Sequence, residues 1–169
     1  MFQVDPAKHT YDAFLCFFQA ARSLTENKNV FFADGVRVEI GKEDGLVTLD
    51  WKNIKVYSAD EFAELMSTHK KSAQVAKTLL YLLRSQVSTE LEHAWRGGEY
   101  ATRLESLRSA SKMLFPFTEI KGHTLVFDGK NYYLFEDRRV RLFEDREQAK
   151  KFLKNVPESK VSDRLSLSL

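Results

Sequence analysis

Between residues 5 and 27 apolar side chains return every three or four positions, at Tyr11, Phe14, Leu15, Phe18, Ala21 and Leu24. That spacing is one face of a helix. Asp5 followed by Pro6 predicts its start, with the aspartate as N-cap and the proline where a missing N–H costs nothing. Phe17 and Cys16 widen the stripe, which predicts burial on more than one side and an end near Asn27. Cys16 reads here as a small apolar side chain. From Val30 the period falls to two. Val30–Ala33 forms a first run; Val36, Val38 and Ile40, then Val47, Leu49 and Trp51, then Ile54 and Val56 alternate with polar residues. Turn signals at Asp34-Gly35, Asp44-Gly45 and Lys52-Asn53 separate the runs, predicting a four-stranded antiparallel meander with one buried face. Ser58 with Glu61 three residues on is a capping box opening a helix that carries Phe62, Leu65 and Met66.

The helical period returns in Ala76, Leu80, Leu83, Val87, Leu91 and Ala94, stops at Gly97-Gly98, and resumes in Tyr100, Leu104, Leu107, Ser111 and Leu114 before Pro116. The simplest reading is a helical hairpin; a seam of this length is also a possible self-association surface. Phe117–Lys121, Thr124–Phe127, Tyr132–Glu136 and Val140–Phe143 then predict a second meander, and Asp145 with Gln148 caps a helix bearing Ala149, Phe152 and Leu153. The expectation is one α+β domain over 1–156: a ββββα unit at 30–69, a helical hairpin at 72–115 and a second ββββα unit at 117–155. Residues 157–169 form a polar tail, in which Leu165, Leu167 and Leu169 alternate as an edge strand or a frayed end would.

The two strand-rich stretches read as a repeat. An ungapped shift of 86 lays Val47 on Tyr133, Ile54 on Val140, Lys55 on Arg141, Tyr57 on Phe143 and Met66 on Phe152. A ββββα unit present twice resembles the layout of the PUR-domain and Whirly families, which bind single-stranded nucleic acid on their sheets. The resemblance covers roughly residues 30–69 and 117–155 and is one of topology. It implies a fold and a ligand class, and carries over no individual residue.

Composition narrows the chemistry. Over 169 residues, 26 Lys+Arg against 24 Asp+Glu leave a net charge of +2, so affinity for nucleic acid needs a local patch rather than a basic coating. A single cysteine points to a reducing, intracellular compartment, and no apolar run approaches the ~18 residues of a membrane span. His9, His69 and His123 lack a second ligand at metal spacing, and Glu90-x-x-His93 lacks carboxylate partners on other helices. No nucleophile triad, phosphate loop or paired-cysteine motif is present, so neither a cofactor nor a catalytic group is assigned.

Three functions remain. Single-stranded nucleic acid needs rings for stacking and cations for phosphates. The predicted strand faces offer Tyr57, Tyr132 and Phe143 as rings, with Lys55, Arg138, Arg139 and Arg141 as cations. Cross-strand pairing of Asp50 with Lys55 and Glu136 with Arg141 is the structural alternative for those charges. A protein-binding module without catalysis, such as an inhibitor, adaptor or assembly factor, suits the second meander, which is apolar on both faces and must be covered by a helix, a partner or bases. A homodimer is compatible with the repeat. The third is a Mg²⁺-dependent nuclease, in which Asp34 and Asp50 would hold the metal and Lys52 would stabilise charge.

Overall fold

The computed structural model describes residues 5–97 and 103–156. In chain order the elements are α1 (Thr10–Leu24), β1 (Lys28–Ala33), β2 (Val36–Gly41), β3 (Gly45–Leu49), β4 (Lys52–Val56), α2 (Ala59–Ser67), α3 (Ser72–Gly97), α4 (Leu104–Leu114), β5 (Phe117–Ile120), β6 (His123–Phe127), β7 (Tyr132–Phe135), β8 (Val140–Phe143) and α5 (Arg146–Leu153). The expected α+β architecture is present. An N-terminal helix precedes two antiparallel four-stranded sheets, each followed by a helix, with a helical segment between them. Tyr100 of the predicted stripe and the 157–169 tail lie outside the described residues. The chain divides into two compact units between Gln86 and Val87, within α3.

In the first unit the strands pair in sequence order, β1-β2-β3-β4. Phe31, Ala33, Val36, Val38, Ile40, Val47 and Val56 form the buried inner face. α1 seats there. Phe17 meets Phe31 edge-on at 5.0 Å, and a Cβ on Gly45 would stand 2.9 Å from the Phe18 ring, so only glycine admits the helix at that point. α2 packs on α1 through Phe62, whose ring lies 5.1–5.9 Å from those of Phe14, Phe17 and Phe18. Its predicted cap is formed: Ser58 Oγ accepts from the Glu61 N–H at 3.1 Å. α1 itself starts at Thr10, later than the Asp5-Pro6 signal implies. Asp5 instead closes a preceding turn, its carboxylate accepting from Ala7 N–H at 3.0 Å and its carbonyl from His9 N–H at 2.8 Å.

The second unit covers both faces of its sheet, β5-β6-β7-β8. On one face Leu125 and Leu134 meet Ala149 and Leu153 of α5, with Ile120, Tyr132, Phe143 and Phe152 around them. The opposite face carries buried Thr124, Val126, Tyr133, Phe135 and Val140. α4 is tied to it by Arg108 Nε donating to Thr124 Oγ1 at 2.7 Å and by the Lys112–Glu119 ion pair at 3.0 Å. The extra apolar face read from the sequence is therefore occupied by the chain's own α5. Asp145 caps that helix through the Gln148 N–H (2.8 Å), and Lys121 Nζ reaches the carbonyls of Leu153, Lys154 and Val156 at 2.9–3.3 Å. Lys121→Met removes these charge-assisted bonds at the helix C-terminus. It should lower stability by about 1 kcal/mol in urea unfolding.

The repeat is real, and its offset is 87 rather than 86. A shift of 87 gives every strand pair of the second sheet a counterpart in the first, for example Phe31↔Val38 for Thr118↔Leu125, Val47↔Ile54 for Leu134↔Arg141 and Gly45↔Val56 for Tyr132↔Phe143. It also carries the N-cap Ser58 onto Asp145 and the turn Asp34-Gly35 onto Lys121-Gly122, all four turn residues having positive φ. Because side chains alternate, the one-residue error exchanges the faces. Lys55 does not correspond to Arg141, nor Tyr57 to Phe143.

Candidate nucleic-acid interface

The outer face of the first sheet is the exposed one. Register places Val30, Glu39, Leu46 and Lys55 in one row across it and Phe32, Arg37, Thr48 and Asn53 in the next. Phe32 is 67% exposed, and Tyr57, just beyond β4, is 60% exposed with the Lys55 ammonium 5.4 Å from its ring centre. Lys28 pairs with Glu39 at 3.0 Å, Arg37 approaches the same carboxylate at 3.9 Å, and Lys55 pairs with Asp44 at 3.1 Å. The hydrogen bond to Asp44, with Tyr57 nearby, pushes the Lys55 pKa up, so the ammonium stays charged.

The β3–β4 turn corrects the predicted hairpin. Leu49 pairs with Lys52, so the turn residues are Asp50 and Trp51, not Lys52 and Asn53. Asp50 consequently does not face Lys55, whose cross-strand partner is Leu46. Trp51, expected as a buried strand residue opposite Ile54, stands at the tip of the turn and is 98% exposed. Asn53 faces Thr48 and accepts its hydroxyl at 2.9 Å.

The remaining candidate residues belong to the second unit, and its helix α5 engages most of them. Phe143 packs on Phe152 at 5.5 Å, and the Arg141 guanidinium lies 4.5 Å over the same ring. Arg141 and Arg139 converge on the Glu136 carboxylate, Arg139 at 3.2 Å. The expected Glu136–Arg141 pair is thus present. Arg138 is exposed and pairs with no acid among the described residues. Tyr132 is half-buried and stacks on Phe127 at 4.6 Å. The two rings line an open groove of about 200 Å³ with Pro116, Thr118, Leu125 and Arg146.

Asp34 accepts from Gln74 Nε2 at 2.9 Å and Thr78 Oγ1 at 3.2 Å, and Asp50 lies in the tip turn. Among the described residues no three His, Cys, Asp or Glu side chains come together in a way that could hold a metal ion. Burial pushes the Cys16 thiol pKa up against the opposing pull of Arg84, which disfavours the nucleophilic thiolate. No described helix is long and apolar enough to cross a membrane.

No known protein family, no curated protein and no solved structure matches this chain. What it shares with the PUR-domain and Whirly layout is the topology of two sheet-plus-helix units. Lys28, Phe32 and Arg37 on this face and Trp51 at the turn tip were not among the candidates drawn from the sequence. The alternation itself marks Phe32: in a meander whose inner residues are Phe31 and Ala33, an aromatic between them faces outward.

Proposed function

We propose that this chain is a non-enzymatic binding protein for single-stranded nucleic acid, with the outer face of its first sheet as the contact surface. One observation carries the reading: Phe32, Tyr57 and Trp51 present exposed rings on and beside one sheet face that also bears Lys28, Arg37 and Lys55. Rings accept stacked bases at ~1–3 kcal/mol each, and cations beside them hold the phosphates. The acids on that face do not block this. The exposed Lys55–Asp44 pair is worth ~0–1 kcal/mol, so a phosphate displaces Asp44 at small cost, and the half-buried Glu39 is already met by Lys28 and Arg37. The topology shared with families that bind single strands on their sheets supports the same ligand class. Of the residues on the second unit, Arg138 and the Tyr132 groove are the parts left open to a strand, while Arg139, Arg141 and Phe143 serve α5 and its hairpin first.

A protein partner is the second reading, favoured by the mixed charge that Glu39 and Asp44 give the face. Salt separates the two. Fluorescence anisotropy with a labelled single-stranded oligonucleotide should show binding that weakens steeply as salt rises, and weaker binding to the matching duplex. Absence of binding at low salt overturns the nucleic-acid reading; capture of a partner with little salt dependence supports the other.

A further inference from the structure

Trp51 is held where a tryptophan is costly. Asp50 and Trp51 have φ of 47° and 67°, the left-handed pair of a two-residue hairpin turn. In such turns asparagine or aspartate suits the first position and glycine the second. Asp50 fits this rule and Trp51 breaks it. The indole gains nothing from packing in return, being 98% exposed. Strain that the fold does not recover by burial points to use elsewhere. The same tip in the second unit, offset by 87, carries Arg138, which the structure also leaves exposed.

The position of the tip gives that use a shape. β4 is an edge strand, so nothing among the described strands pairs with its outer side. Asn53 and Lys55 take alternate outward positions along it, Tyr57 continues the line beyond its end, and Trp51 stands at its head. Six residues of extended chain span ~20 Å. Rings thus mark the two ends of a track whose middle offers an ammonium and an amide. Asn53 receives the Thr48 hydroxyl on its oxygen, which leaves its NH₂ group to donate.

We propose that a single strand of about four nucleotides lies along this edge, with terminal bases stacked on Trp51 and Tyr57, a phosphate on Lys55, and Asn53 donating to the strand between them. The proposal rests on the nucleic-acid reading above and adds to it a location, a length and an anchor. Placing the anchor in a strained turn gives it a fixed aim, because a two-residue hairpin loop has little freedom to swing.

Trp51 and Trp95 are the only tryptophans, so Trp95→Phe leaves Trp51 as sole reporter. Adding a fluorescein-labelled oligothymidylate gives two independent signals, the anisotropy of the label and the emission of the indole. Binding of four- and twelve-nucleotide strands should quench Trp51, with both lengths giving similar quenching at saturation. Trp51→Gly should weaken binding about ten- to a hundredfold while raising the melting temperature slightly, because glycine relieves the turn. A gain in stability together with a loss of binding is what a structural tryptophan would not produce. If the labelled strand binds while Trp51 emission stays constant and Trp51→Gly binds like the parent, the edge track is wrong and the sheet-face reading stands. If no strand binds at low salt, both fall.

Discussion

Replacing Phe62 by alanine should destabilise the first unit by ~3–5 kcal/mol, the range for truncating a fully buried aromatic ring. Phe62 is inaccessible to solvent and its ring meets three others, those of Phe14, Phe17 and Phe18. These contacts fasten α2 to α1, and α1 is what lies on the inner face of the sheet. Loss of the ring should leave a cavity between two helices, not merely expose one side chain. The repeat explains why the position needs a large residue. Its equivalent at an offset of 87 is Ala149, also fully buried, yet in the second unit α5 rests directly on the sheet with no helix between. A methyl group fills that narrower gap. The same difference appears at Gly45, which admits Phe18 of α1, and at its counterpart Tyr132, whose ring packs at the margin of the α5 cluster. Hydrogen exchange monitored by mass spectrometry should show faster exchange in α1, α2 and β1–β4, with peptides from β5–β8 and α5 changing least. Uniform acceleration, or a loss below 1 kcal/mol in denaturant unfolding, would contradict this account.

These particular residues also show why the elements were legible and their faces less so. Helical and strand periods, the Ser58 and Asp145 caps and the Asp34-Gly35 turn are local, and each is formed as read; Gly45, read in a turn, instead opens β3 opposite Ile40 and Val56. The β3–β4 turn is not legible locally, because Lys52-Asn53 looks more like a turn than Asp50-Trp51 does. A tryptophan with positive φ runs against local preference, and only the closed ladder of β3 and β4 forces it there. That single slip propagated. It put Trp51 in the core, set Asp50 against Lys55, and made 86 the best-looking offset, so Lys55 and Tyr57 were equated with residues on the opposite face. Only Gly35 with Gly122 and Asp50 with Asp137 coincide between stretches 28–67 and 115–154 at the true offset, too few identities to correct the register from sequence. The occupant of the second sheet's extra face was unreadable for another reason. Whether α5, a partner or bases covered it depended on long-range packing that no local pattern encodes.

Changing Lys28, Arg37 and Lys55 together to glutamine should reduce affinity for a single strand about a hundredfold at moderate salt. The estimate follows from ion release. Each phosphate contact on a single strand contributes ~0.7 to the slope of log affinity against log salt, so three lost contacts flatten the slope by about 2. Lines that meet near ~1 M salt then stand about two decades apart near ~0.1 M. The loss should exceed three simple deletions, because Glu39 and Asp44 lose the cations now facing them and begin to repel phosphate. The matched change at Arg138, Arg139 and Arg141 should act differently. Arg139 and Arg141 share Glu136, and Arg141 covers Phe152, so their removal falls first on the β7–β8 hairpin and α5. Only Arg138 stands ready for a phosphate, and the slope should flatten by less than about 1. A larger effect from the second triple than from the first would move the contact surface to the second sheet. Equal affinity in all three proteins would remove cations from the recognition altogether and leave the mixed-charge face to a protein partner.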